Sequence, residues 1–114
     1  LNTTLNLKAY PQVYFAGQIT GFEGYMESAA CGLLAARSIF AVLQEKSLPE
    51  LPNVTMLGQL IRYITSENKN FQPMGANMGI LPPLETHIRD KRERYMAVAQ
   101  RAVQAMELWA EQTK

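Results

Sequence analysis

The chain has 114 residues, eleven basic and ten acidic side chains, a formal net charge of +1 and one cysteine. That length holds one domain at most. The near-neutral balance excludes a global field that would hold RNA, and one cysteine excludes an internal disulfide and fits a reducing cytoplasm. No signal peptide is visible, because the opening LNTTLNLK lacks an apolar core. The longest unbroken run of apolar and small residues, 29–36, stops at Arg37 and is too short to span a bilayer.

In chain order, residues 1–8 read as weakly extended, with Leu5 and Leu7 on one face. Residues 9–12 form a turn, because Pro11 fixes its own φ and biases Tyr10 away from helix. Residues 13–16, Val-Tyr-Phe-Ala, are a β-branched and aromatic run that predicts a short strand. Gly17, Gly21 and Gly24 follow, and from about Tyr25 the pattern becomes helical.

A strand, a glycine loop and a helix start can bring backbone N–H groups up to an anion. The spacing here is three and then two residues, not the G-x-G-x-x-G of the dinucleotide fingerprint. The alternative is a strand-to-helix turn whose glycines only allow tight packing. Glu23 and Glu27 sit in or before the first helical turn, where they would repel a phosphate unless they point away. Thr20 is placed to orient the loop through its hydroxyl.

The first helix is predicted from about Gly24 to Gln44. Its apolar residues cover nearly the whole circumference, which predicts burial on most sides. Gly32 costs about 1 kcal/mol relative to alanine inside a helix, so a packing reason is expected. Cys31 lies in the apolar interior with no basic neighbour within a turn. It reads as a small hydrophobe, not a nucleophile.

Residues 46–53 are a loop punctuated by Pro49 and Pro52. A second helix is predicted over 55–66, capped by Asn53 or Thr55, with Leu57, Leu60, Ile61 and Ile64 on one stripe. Arg62 lies off that stripe. Residues 67–83 lack periodicity but are too apolar for disorder. They predict an ordered loop, with Gln72 and Asn77 as candidate polar contacts.

A last helix is predicted over 84–112, with Ile88, Tyr95, Ala102 and Trp109 recurring every seven residues. Arg89, Lys91, Arg92 and Arg94 form a basic cluster offset by Asp90 and Glu93. The lone His87 has no second histidine or cysteine nearby, so no metal site is expected. The resulting fold class is mainly α: three helices plus a short N-terminal strand or ribbon. The first residue is leucine, and the strand's only partner is 4–8. Both features lead to the expectation of a piece of a larger α/β protein.

Two stretches carry a resemblance. FAGQITGFEGYMESAACGLLAAR (15–37) resembles the flavin-contacting segment near the C-terminal end of the TrmFO family, the folate- and FAD-dependent tRNA (uracil-5-)-methyltransferases. NFQPMGANMGILPPL (70–84) is similar to that family's FQPM-x-AN-x-G-LLPPL signature. The resemblance runs through essentially the whole chain. The related flavoprotein GidA has a similar glycine segment.

The resemblance implies the C-terminal part of an α/β, FAD-binding, Rossmann-like flavoprotein. It implies FAD as cofactor, with methylenetetrahydrofolate and NAD(P)H as co-substrates. Cofactor contact would fall on the backbones of Gly17, Gln18, Ile19, Gly21 and Gly24, with Tyr25 behind them. No catalytic residue is expected in this chain. Residues 1–46 would close the FAD domain and 47–114 would form a helical extension.

Expected partners are the rest of a parent polypeptide and tRNA, through Arg89, Lys91, Arg92 and Arg94. No membrane is expected, and the exposed strand could self-associate. The isolated chain is expected to be inactive and cytoplasmic. The competing classes are a GidA-like wobble-uridine enzyme, a small helical interaction domain and an independent RNA-binding module.

Overall fold

The computed structural model describes residues 1–67 and 69–113. Three helices follow one another: α1 (Tyr25–Leu43), α2 (Met56–Thr65) and α3 (Lys91–Gln112). Single 3₁₀ turns lie at Gln18–Thr20 and Met78–Ile80. No strand occurs among the described residues, so the predicted strand at 13–16 is corrected.

What remains of that strand is one antiparallel bridge, Asn6 to Tyr14. It is held by Leu7 N–H to Val13 O at 2.9 Å and Phe15 N–H to Leu5 O at 3.0 Å. The predicted partner segment is therefore the right one, but the ladder stops after a single pair. The reason is Leu5, whose φ of +71° turns the chain out of the extended course. Its side chain is fully buried in exchange, which offsets the backbone strain.

The core joins all parts of the chain. Leu5 and Phe22 meet Cys31, Leu34 and Ala35 of α1, Leu51, Leu60 and Ile61 of and before α2, and Trp109 of α3. Cys31 is fully buried, as its apolar setting predicts.

Thr55, not Asn53, caps α2. Its hydroxyl accepts from Gly58 N–H at 3.0 Å and donates to Pro52 O at 2.7 Å. Leu60 and Ile61 of the predicted stripe are buried, and Leu57 and Ile64 are half-buried.

Two helical expectations are corrected. α3 begins at Lys91, not at residue 84. Asp90 provides the start, its carboxylate accepting from Glu93 N–H at 3.2 Å. His87 and Ile88 therefore lie ahead of the helix rather than in it. α1 is buried along one stripe only, Cys31, Leu34, Ala35 and Ser38. Tyr25, Met26, Leu33, Phe40 and Leu43 are exposed on another face.

A Cβ on Gly32 would meet nothing within 4 Å, so nothing in the structure explains that glycine. By length and composition α1 is also apolar enough to cross a membrane, with a mean hydropathy of 1.5.

The end of α3 is clasped to α1. The Arg37 guanidinium donates to Thr113 O at 3.0 Å and Thr113 Oγ1 at 2.6 Å, and lies 5.2 Å from the Trp109 ring centroid. A cation there also complements the negative end of the helix dipole. The Trp109 indole N–H donates to Pro49 O at 3.0 Å.

Candidate ligand site at the glycine loop

Gly17 opens the loop with φ +86° and ψ −152°, a conformation that side-chain-bearing residues avoid. The turn behind it is fixed by Thr20, as expected. Its hydroxyl donates to Gly17 O at 2.6 Å and its N–H to the same oxygen at 3.0 Å. Thr20 is itself buried and touches Cys31 Sγ at 3.8 Å. Gly21 then closes the turn in the left-handed region, its N–H donating to Gln18 O at 3.1 Å.

The second motif packs directly on this loop. Met74 N–H donates to Gly21 O at 2.8 Å, and Glu23 N–H donates to Met74 O at 3.0 Å. These bonds form a parallel bridge between Phe22 and Met74. Phe71 stacks on Tyr63 of α2 with ring centroids 5.4 Å apart and an interplanar angle of 21°. The Tyr63 hydroxyl donates to Gln72 O at 2.7 Å and accepts from Gln72 N–H at 3.3 Å. The Phe71 ring lies where a Gly21 Cβ would be, with Cε1 only 3.0 Å from that position.

A carboxylate makes the third tie. Glu27, in the first turn of α1, accepts from Ala76 N–H through Oε2 at 3.2 Å. The same carboxylate crowds both glycines beside it. Its Oε1 lies 2.8 Å from a Cβ on Gly24, and its Oε2 3.0 Å from one on Gly75. Gly24 thus gives way to Glu27, not to open space. The negative group expected to repel a phosphate at this helix start does not point away. It fills the slot itself.

The six candidate residues are therefore not equivalent. Gly21 is buried, with its open face filled by Phe71. Gly24 is exposed but faces Glu27. A Gly17 Cβ would have no neighbour closer than Ser28 Cβ at 3.9 Å. Gln18 is exposed, Ile19 is 75% exposed and Tyr25 97%. Gln18 and Ile19 open a 3₁₀ turn, so their N–H groups have no partner within it. Gly17 is therefore uncrowded, and Gln18, Ile19 and Tyr25 are exposed.

Other sequence-picked side chains are used within the chain. Asn77 accepts from Gly79 N–H at 2.9 Å and caps the second 3₁₀ turn. Gln72 acts through its backbone. Arg62 and His87 are exposed. Among the basic cluster, Lys91 and Arg94 lie 5.5 Å and 5.6 Å from the Tyr95 ring centroid, and Arg89 and Arg92 are exposed. No group of three or more His, Cys, Asp or Glu capable of holding a metal occurs among the described residues. Sequence reasoning missed the Tyr63–Phe71 stack and the Glu27 tie. Both depend on which loop meets which helix, and no local pattern encodes that.

Comparison with known proteins bears on this geometry. Residues 1–47 match the family described as glucose inhibited division protein A. The chain is 50% identical over 108 residues to the methylenetetrahydrofolate–tRNA-(uracil-5-)-methyltransferase TrmFO of Halalkalibacterium halodurans. That match covers 94% of this chain and 25% of the relative. It is 47% identical over 114 residues to the TrmFO of Persephonella marina, covering 100% of this chain and 26% of the relative. It is 45% identical over 115 residues to that of Desulforamulus reducens, with the same coverage. The resemblance read from the two motifs therefore holds across the chain. The chain spans about a quarter of the length of the curated relatives it matches.

Proposed function

We propose that this chain, TrmFO-like from end to end, supplies one wall of the FAD site in a longer folate-dependent tRNA (uracil-5-)-methyltransferase. The observation that carries the reading is the divided loop. Gly21 and Gly24 are spoken for by Phe71 and Glu27, while Gly17, Gln18 and Ile19 keep an uncrowded backbone face.

That face fits a flat cofactor edge. Gly17 removes the side chain, Thr20 holds the Gly17 carbonyl in place, and the Gln18 and Ile19 N–H groups are left to donate. Tyr25 would stand beside them as an exposed ring. A pyrophosphate at the start of α1 is disfavoured, because Glu27 already holds that position. Bound FAD would supply the redox and one-carbon chemistry there. This chain's residues would bind and orient it, and none of them would be catalytic.

In the longer polypeptide the reaction would move a methylene group from methylenetetrahydrofolate to C5 of a T-loop uridine. Electrons from NAD(P)H would complete the methyl group. Residues 1–46 would close the FAD-binding, Rossmann-like domain, and 47–114 would be its helical extension. The partners would be the rest of that polypeptide and tRNA, in the cytoplasm. The exposed apolar face of α1 (Tyr25, Met26, Leu33, Phe40, Leu43) supports a neighbour in the same polypeptide. The isolated chain would hold FAD weakly and turn nothing over.

The test is to purify the longer polypeptide. It should be yellow, release FAD on denaturation, and form 5-methyluridine in a tRNA transcript when given methylenetetrahydrofolate and NAD(P)H. A colourless protein with no such product would overturn the reading.

A further inference from the structure

The segment between the second motif and α3 builds a depression that the flavin reading does not use. It is a cavity of about 410 Å³ with apolar walls from Met78, Leu81, Pro82 and Pro83. Its polar lining residues are Thr86, His87 and Arg94, together with Tyr95. Apolar walls with a few convergent polar groups, at this volume, are what small-ligand sites are made of.

These polar groups are largely uncommitted. The bond found among them is Arg94 Nη1 to Ile88 O, a long 3.4 Å. Thr86, His87 and the Tyr95 hydroxyl make no hydrogen bond among the described residues. Arg101 holds the rim from behind, donating to Pro83 O at 3.1 Å and to Pro82 O.

The depression also continues. Met78 and Tyr95 also line an open groove of about 700 Å³, which adds Asp90, Lys91 and Arg92. Tyr95 is 40% exposed and lines both. Two cations, Lys91 and Arg94, lie 5.5 Å and 5.6 Å from the centroid of that one aromatic ring. A small ligand needs one pocket, whereas a polyanionic strand needs a track with repeated cations and a stacking surface.

We infer that this track seats single-stranded RNA, with one unstacked nucleotide entering the cavity beside Tyr95 and its phosphate meeting Arg94 and His87. The inference rests on the reading of tRNA as substrate, and it names where and in what form the RNA is held. Sequence-directed RNA recognition takes unstacked bases onto aromatic rings and arginine planes, and both are present here. Asp90 is the one carboxylate in the groove, and its oxygen is committed to the α3 cap.

The test uses this chain and a fluorescein-labelled uridine octamer, read by fluorescence anisotropy at several salt concentrations. Binding should fall steeply with salt. Tyr95→Ala and Arg94→Gln should each weaken binding by about tenfold or more, Tyr95→Phe should keep most of it, and Arg62→Gln on α2 should change little. Photocrosslinking of a 4-thiouridine octamer to the unaltered chain should label the peptide carrying residues 86–95, which needs no variant to fold.

Equal binding by all variants, or crosslinks confined to other segments, would overturn the inference. So would complete displacement of the octamer by 5-formyltetrahydrofolate, which would assign the cavity to a pterin. None of these variants touches residues 17–25. Failure here would leave the flavin content of the longer polypeptide unchanged, and the two readings fail separately.

Discussion

Phe71 stands in the space that a side chain on Gly21 would need. The ring's Cε1 lies 3.0 Å from the Cβ position, and Gly21 itself has φ +108°. Gly21→Val therefore meets a clash and a disfavoured backbone together. It should destabilise the chain by about 3 kcal/mol, measured by urea unfolding. The double variant Gly21→Val with Phe71→Ala should recover part of that loss, because it removes the clash and leaves the backbone strain. A Gly21→Val stability within error of the parent would contradict the packing. It follows that Gly21 is a poor probe of flavin contact, since its loss disturbs the fold first.

Glu27 ties two loops through one hydrogen bond. Glu27→Ala should leave Ala76 N–H without its acceptor and cost about 1 kcal/mol. Amide hydrogen exchange should quicken at Ala76 and not at Thr65, whose residue lies in α2. Unchanged exchange at Ala76 would place the carboxylate elsewhere in solution.

The Arg37 clasp predicts a difference between two cations. Arg37→Lys keeps the charge but loses the planar fork that reaches Thr113 and covers Trp109. It should cost about 1 kcal/mol, and Arg37→Ala about 2 kcal/mol, in thermal unfolding. If lysine restored full stability, charge alone would account for the contact.

Thr55 is a buried cap with both hydroxyl functions used. Thr55→Ala should cost about 1–2 kcal/mol, and Thr55→Ser should restore most of it. Equal losses in the two variants would point to the methyl group instead.

Much of this was legible in the residues. Asn53 or Thr55 ahead of a clean apolar stripe predicts a capped α2, with Thr55 proving to be the cap, and Cys31 among alanines and leucines predicts a buried thiol. Thr20 in the glycine loop predicts a hydroxyl that orients it, and that hydroxyl donates to Gly17 O. The misreadings share a cause. Residues 13–16 have strand composition, but a strand needs a partner, and Leu5 turns its partner away after one pair. Residues 84–90 have helical periodicity, but Asp90 caps the helix later. Around α1 the sequence is apolar over nearly the whole circumference, and this chain buries only one stripe of it. Periodicity reports what can be buried; it does not say which segment does the burying. For the site, the glycines were visible, but that Phe71 and Glu27 fill two of the three is a fact of long-range packing.

The central claim is that the face of Gly17, Gln18 and Ile19 meets the flavin, and one exposed residue tests it most directly. Ile19 is 75% exposed, so Ile19→Arg should change the stability of this chain by no more than about 0.5 kcal/mol. In the longer polypeptide the same substitution would set a bulky cation against the cofactor. Flavin absorbance per protein, measured after purification and again after adding FAD, should then fall to a small fraction of the parent's. An Ile19→Arg protein that stays fully yellow would contradict the account.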